Sequence, residues 1–559
     1  MEFSEVIEKP RVDGVQLRRL GSVEKSSPGS LAITSHHLIF QPSAQHVTET
    51  MLMHRLVDSC VSEARPAGGG VLTLLCKNLM VLVLDFESWD DCQSVQRTVD
   101  LLSNLQDVDL QYALWWTCSW KVLEDGWTAF TLDTEFARLQ MQSAQWRMSQ
   151  LNSDYKVCAS YPAQLWVPAS VTDEIIQASA AFRQGGRFPV LSYYHRATRS
   201  LLIRCSQPLV GPGSRRCRED EQLLNAMLSL NRKGYIIDTR SITYAQSCKG
   251  KGGGYELDGH YPQWKRVHHS LPRYNQLQEY LAKHVEACST SDAGRWLSRL
   301  ASSGWMQAVQ DMLTCAAVAA QCLDREEMSV VVHGSEGMDA TLLVTSLVQI
   351  ILDPDTRTLR GLESLIEREW LSAGHPFATR CAHSAYGKPI TGAEGATFLC
   401  FLDCLHQICR QFPLSFEFNE NFLVLLFDHA YASEYGTFLC NSEQERMAAK
   451  LPERTVSFWS YVNRPEVMHL YFNPMYNPNN APVWPSVASQ SLDLWEEVFL
   501  RWSRDWTQSR QNQEQCAELF KKHKSLLSNV NKLRRQMIDL IRDAQQRNLD
   551  IPPTLMESA

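Results

Sequence analysis

Hydrophobic positions in the first hundred residues come in short runs separated by turn signals. Ser30–Thr34, Leu38–Gln41, Thr48–His54, Val71–Cys76 and Met80–Leu84 are β-branched or apolar, with breaks such as Ser-His-His and Pro-Ala-Gly-Gly-Gly between them. This pattern predicts antiparallel strands. The period then changes: Trp89, Cys92, Val95, Val99 and Leu102 recur at helical spacing, which predicts a helix over Ser88–Leu105. Several strands closed by one helix make residues 1–105 a small β-barrel of pleckstrin-homology type.

From about 120 to 500 strand-like and helical segments alternate, as in a large α/β domain whose helices cover a mostly buried sheet. Phe188–Tyr194, Leu201–Cys205, Tyr235–Asp238 and Ser329–His333 are the predicted strands. Leu223–Leu230, Trp296–Leu313 and Leu342–Leu352 are the predicted helices. Asn473–Pro485, rich in Pro and Asn, reads as a loop, because Pro suits neither a helix interior nor a central strand. No internal repeat of solenoid or propeller length is present.

The last fifty residues follow a heptad. Leu519, Leu526, Leu533 and Leu540 are seven apart, and Cys516, His523, Val530 and Met537 fill the alternate seam positions. Residues 510–545 are therefore predicted as a coiled coil, with His523 a polar seam residue that selects register or partner. Arg510 to Arg547 carry 9 basic and 4 acidic residues. A parallel copy of the same segment is repelled, so a more acidic partner is favoured over self-association.

Composition narrows the function classes. A chain of 559 residues with 44% apolar and 21% charged residues is long enough for several cores. A net charge of -8 gives no general field for nucleic acid. The N-terminus MEFSEVIEKP lacks a signal-like apolar core, and the most apolar window, Val71 to Leu84, is broken by Lys77 and Asn78; neither a signal peptide nor a transmembrane helix is expected. Seventeen cysteines without a C-x2-C pair fit reduced thiols in the cytoplasm, and Cys400, Cys404 and Cys409 read as helix packing rather than a metal site. Residues 1–105 hold 9 basic and 13 acidic residues, which favours a docking module over a strong inositol-phosphate pocket.

Two loops invite chemistry. GKGGGYE, Gly250–Glu256, lacks nucleotide-binding spacing and reads on its own as a flexible turn. The segment from Ser329 to Gln349 runs from a strand through a small-residue loop into a helix, an arrangement that aims backbone N–H groups and the positive end of a helix dipole at an anion. The side chains run against that: Glu336 and Asp339 are acidic, and no Lys or Arg lies between His333 and Thr341. A Ser335–His333 dyad is disfavoured because residues two apart at a strand end do not face each other. From the residues alone, Glu336 and Asp339 are capping carboxylates at a buried turn.

The loop His333-Gly334-Ser335-Glu336-Gly337-Met338-Asp339-Ala340-Thr341 resembles the signature loop of the myotubularin lipid phosphatases, whose active members read His-Cys-Ser-Asp-Gly-Trp-Asp-Arg-Thr. Phe182–Tyr194, Arg204–Gly211, Asp238–Arg240, Gly252–Glu256, Arg368–Cys381 and Arg410–Leu423 are similar to further family segments. The resemblance implies an N-terminal GRAM domain over 1–105, a phosphatase-type domain over 120–503 and a coiled coil over 510–545.

It also implies that Gly334 stands where the family has its nucleophilic Cys, Ala340 where it has its phosphate-binding Arg, and that the acid survives as Asp339. In an active loop the thiolate attacks phosphorus while the Arg fork holds the equatorial oxygens. Neither Gly nor Ala does either. The chain is most similar to the family's catalytically inactive branch, so the implied function is not an enzyme's. It is an adaptor, with no cofactor or metal, that binds active relatives through the coiled coil and modulates 3-phosphoinositide turnover in membrane trafficking, reaching endomembranes peripherally through the partner. The alternative is a phosphoinositide-binding effector without a phosphatase partner.

Overall fold

The alternating runs at the N-terminus form one antiparallel sheet. The computed structural model describes residues 3–20, 26–44, 48–66, 68–139, 145–228, 232–289, 294–387, 392–504 and 506–547. Strands β1 (Arg11–Arg19), β2 (Ser27–Ile33), β3 (His37–Pro42), β4 (Thr50–Met53), β5 (Val57–Ala64), β6 (Gly70–Cys76) and β7 (Val81–Phe86) lie in the order β4-β3-β2-β1-β7-β6-β5. Helix α1 (Trp89–Ser103) closes the module, its start capped by the Ser88 hydroxyl, which accepts from the Asp91 N–H. It adds Cys92, Val95 and Val99 to a core containing Val15, Leu31, Leu72 and Leu84. The strands at β1 and β5 are absent from the sequence-based prediction, and both carry a bulge, at Asp13/Val15 and Val57/Ser59. A bulge breaks the period-two pattern that makes a strand legible.

A second, five-stranded sheet organises the large domain. Its order is β10-β11-β14-β12-β13, with β10 (Val190–His195) antiparallel to β11 (Ser200–Ser206) and the other neighbours parallel. Strands β12 (Gly234–Asp238) and β14 (Ser329–Gly334) fall where predicted, whereas β13 (Trp264–His268) was not predicted. Its sequence WKRVH buries Trp264 and leaves Lys265 and Val267 exposed, the signature of an edge strand with charges against further pairing. A small pair, β8 (Trp146–Ser149) and β9 (Leu165–Pro168), stands apart.

Helices follow the expected pattern with two corrections. Trp296–Leu313 is not one helix: Gly304, at φ +83°, divides Trp296–Ser302 from α2 (Trp305–Asp324). The helix predicted at Leu223–Leu230 is Arg218–Ala226, and residues 229 and 230 lie outside the described residues. Helix α3 (Ala340–Leu352) leaves the loop after β14, α4 (Thr397–Gln411) buries Cys400 and Cys404 in the core, as expected of packing thiols, and α5 (Glu420–Tyr431) follows it. Asn473–Pro485 contains no helix or strand.

The two modules are joined by buried polar contacts. Asp58 on β5 accepts from His383 Nδ1 at 3.0 Å and from the backbone N–H groups of Ser384, Tyr386 and Gly387 at 3.0, 2.9 and 2.8 Å. Trp502 packs against both cores and donates from Nε1 to the Asn78 carbonyl at 2.9 Å. Five residues beyond it begins α6 (Thr507–Gln546), the predicted heptad segment as a single long helix. Leu519, Leu526, Leu533 and Leu540 on it are 64%, 63%, 63% and 69% exposed.

Candidate functional site

Strand β14 is buried along its whole length between β11 and β12, with His333 opposite Cys205 and Asp238. It delivers Gly334 to the carboxyl edge of the parallel strands, the usual place for a ligand in an open α/β sheet. The loop turns at Gly337, φ +68°, where a Cβ would stand 2.3 Å from the Cys205 carbonyl oxygen. Only glycine fits. The chain then enters α3 through Asp339, whose φ of +50° is rare for a residue with a side chain. A cleft of about 430 Å³ opens here, lined by Gly334, Ser335 and Met338 on one wall and by Thr239, Tyr244 and Tyr274 on the other.

Asp339 does not cap the helix. Although it holds the N-cap position of α3, its carboxylate makes no cap hydrogen bond; it takes a two-point contact from Arg380, Nε to Oδ1 at 2.9 Å and Nη2 to Oδ2 at 2.8 Å, and a third bond from the Thr397 hydroxyl at 3.1 Å. The capping role expected for it is therefore corrected: a guanidinium fork outcompetes a backbone N–H for a buried carboxylate. Burial alone would raise the Asp339 pKa, but Arg380 outweighs it and holds the carboxyl below its ordinary value. Glu336 is exposed and makes no cap either; its Oε2 stands 3.9 Å from Arg380. His375, fully buried and pushed down to about 3 by desolvation, is a neutral ring beside this pair.

His333 faces inward, away from Ser335. Its Nε2 lies 3.0 Å from Glu256 Oε2 and its Nδ1 3.3 Å from the Gly334 carbonyl. Burial works to raise the Glu256 pKa, yet His333 and Arg183 together bring it far below the usual carboxylate range. Arg183 completes a buried network, donating to Glu256 at 2.6 Å and to both Asp220 oxygens at 2.9 and 2.7 Å, where Tyr261 also donates at 2.8 Å. Arg240 is matched in the same way, by Asp238 at 2.8 Å to each oxygen and by Gln207 at 2.6 Å. Arg187 supports the loop from below, donating to the Gly337 carbonyl at 2.8 Å.

The glycine-rich segment is packed rather than flexible. The Gly254 carbonyl accepts from Arg240 at 2.9 Å, and a Cβ on Gly253 would meet Gln207 Oε1 at 2.5 Å. Segments far apart in sequence, around Arg183, Gln207, Asp238, Gly254 and Arg380, thus meet under one loop. Sequence reasoning quoted these stretches but gave Arg380, Thr397 and Glu256 no role, and no local signal marks an ion pair forty residues long in sequence.

Comparison with known proteins decides what this framework is. Residues 112–447 match the model of the myotubularin-like phosphatase domain, and residues 11–103 match the model of the GRAM domain of MTMR6-9. The chain belongs to the myotubularin family. It is 48% identical to myotubularin-related protein 9 of Mus musculus over 97% of this chain and 99% of that one, and 43% identical to the Caenorhabditis elegans protein of that name over 97% and 99%. It is also 34% identical to the Homo sapiens phosphatidylinositol-3-phosphate phosphatase MTMR7, over 85% of this chain and 73% of that one. Within the myotubularin fold, the five-stranded sheet with its β14 loop is the phosphatase-type domain and the seven-stranded sheet with α1 is the GRAM domain. Among the described residues no helix is long and apolar enough to cross a membrane.

Proposed function

We propose that this myotubularin is a regulatory pseudophosphatase, an adaptor that binds active myotubularin phosphatases through α6 and alters their activity or stability. The observation that carries the reading is the residue at the end of β14. Gly334 has no side chain where the loop would present a nucleophile to the cleft, and Ala340, at the first turn of α3, has no charge to hold a phosphoryl group. Asp339, the remaining acid, is held ionised by Arg380. A group that must donate a proton to a leaving oxygen has to carry one first.

The same geometry speaks against the effector reading. Arg183, Arg240 and Arg380 are each already paired with carboxylates, so an inositol phosphate that recruited one of them would have to displace an internal partner. Arg273 at the rim is exposed, over the rings of Tyr244 and Tyr274. The test is phosphate release from vesicles carrying phosphatidylinositol 3-phosphate, by this chain, by the human phosphatase relative, and by both mixed. The expected result is no turnover by this chain and a changed rate for the mixture. Turnover by this chain alone, lost in Asp339→Ala, overturns the inactive assignment. Flotation of this chain alone on the same vesicles, absent from vesicles lacking the lipid, favours the effector.

A further inference from the structure

Three segments leave the carboxyl ends of β11, β12 and β13 at one edge of the five-stranded sheet, and each carries cations. After β11 comes Gly211-Pro212-Gly213-Ser214-Arg215-Arg216; after β12 comes the helix Ile242–Gly250, with Lys249 and then Lys251 at its end; after β13 comes Arg273. The first two segments are joined, for the Gly211 N–H donates to the Gly253 carbonyl at 2.8 Å and Lys249 Nζ donates to the Ser214 hydroxyl at 3.0 Å. Tyr255 ties β13 to them, with Lys249 Nζ 5.7 Å and Arg266 Cζ 4.0 Å from its ring centroid.

These cations are left unpaired. Arg216 is held by Glu221 and Arg240 by Asp238, but Arg215, Lys249, Lys251, Arg266 and Arg273 stand in no ion pair among the described residues. Of the acids between Gln207 and Arg273, Asp220, Glu221, Asp238 and Glu256 are buried, leaving exposed Asp258 and half-buried Glu219. A chain of net charge -8 thus keeps a local positive field on this face. Within it, Ile242 is 56% exposed. It lies seven residues before Lys249 on the same helix, so the two share one helical face.

We propose that this face docks directly on an anionic lipid bilayer, its cations over the headgroups and Ile242 inserted between them, with no headgroup required in the cleft. Two observations select a bilayer over an acidic protein. The loop tips at Gly213, Gly250 and Gly252 have open space around them, which suits long cationic side chains meeting a diffuse negative surface. An apolar side chain among cations matches the boundary between headgroups and acyl chains. The contact goes beyond the adaptor reading, since it needs neither a partner chain nor α6.

Flotation of the full chain on phosphatidylcholine vesicles, with and without phosphatidylserine, tests this. The expected result is binding only where phosphatidylserine is present, lost at about 0.5 M salt. Arg215→Gln with Lys251→Gln should weaken it about thirtyfold, and Ile242→Ser about fivefold, at unchanged melting temperature. No flotation, or flotation unmoved by these changes, overturns the proposal. Loss caused instead by Lys521→Gln with Arg535→Gln places the contact on α6 and also overturns it. So does flotation that requires phosphatidylinositol 3-phosphate at matched vesicle charge, which points to a headgroup pocket. Binding to polyglutamate at salt that strips the chain from vesicles makes an acidic polypeptide the occupant. None of these failures touches the adaptor reading, which is judged by the turnover of the active relative.

Discussion

Gly337 and Asp339 show how the loop's shape is set by the chain's own contacts. Gly337 turns where a Cβ would strike the Cys205 carbonyl, so Gly337→Ala is expected to cost about 1–3 kcal/mol in chemical denaturation. Asp339 sits at an unusual φ and is held there by Arg380 and Thr397. Arg380→Met strands a buried carboxylate and should cost about 3–5 kcal/mol, while the double variant with Asp339→Asn should recover much of that. Equal losses in single and double variants would mean that the pair contributes nothing beyond packing. The loop motif was legible in the sequence; its ion pair was not, because Arg380 reaches Asp339 only through the tertiary fold.

At the scale of elements, strands with continuous apolar runs were readable, β10 among them despite its bulge at Leu191/Tyr193, whereas the bulged β1 and β5 and the charged edge strand β13 were not. On β5 the bulge at Asp58 is itself the feature that docks the GRAM domain onto the rest of the chain. The heptad of α6 was equally plain, but its charge distribution changes in three dimensions. Lys521, Arg535 and Arg542 fall at the heptad position farthest from the leucine row, so they steer a partner at long range without forming its contacts. Leu526→Ser with Leu533→Ser is expected to abolish co-precipitation with an active relative and leave the melting of the main body unchanged. Retained binding would place the interface elsewhere.

The whole molecule carries its strongest couplings between modules and in buried titrating groups. Asp58→Asn removes a charge that three backbone N–H groups and His383 share; calorimetry is expected to resolve a separate GRAM transition in the variant where the parent melts as one unit. The pH dependence has two arms. Burial pushes His54, His284 and His429 down to about 4 and His375 and His406 to about 3. They stay neutral in the fold while the unfolded chain binds protons below 6.5, so stability falls as pH drops from 6.5 towards 4. Burial raises Glu363 from 4.5 to about 8. Its contribution is full below pH 4.5 and lost as pH rises to about 8. Glu363→Gln, which keeps an acceptor for Asn463, should therefore stabilise the protein by on the order of a few kcal/mol at pH 8.5 and by little at pH 4.5. An equal effect at both pH values would show that Glu363 does not titrate in this range.

The sequence by itself determined the three-part plan and set Gly334 and Ala340 in the β14 loop, where the resemblance to the myotubularins implies a nucleophile and a cation. Those are local facts: periodicity and side-chain chemistry at fixed spacing. Only the tertiary structure decided that Asp339 is clamped by Arg380, that Arg183 and Arg240 are already matched by carboxylates, and that α6 leaves the body with its apolar stripe bare. Ion pairing and burial depend on which distant segments meet, and one-dimensional spacing carries no record of that.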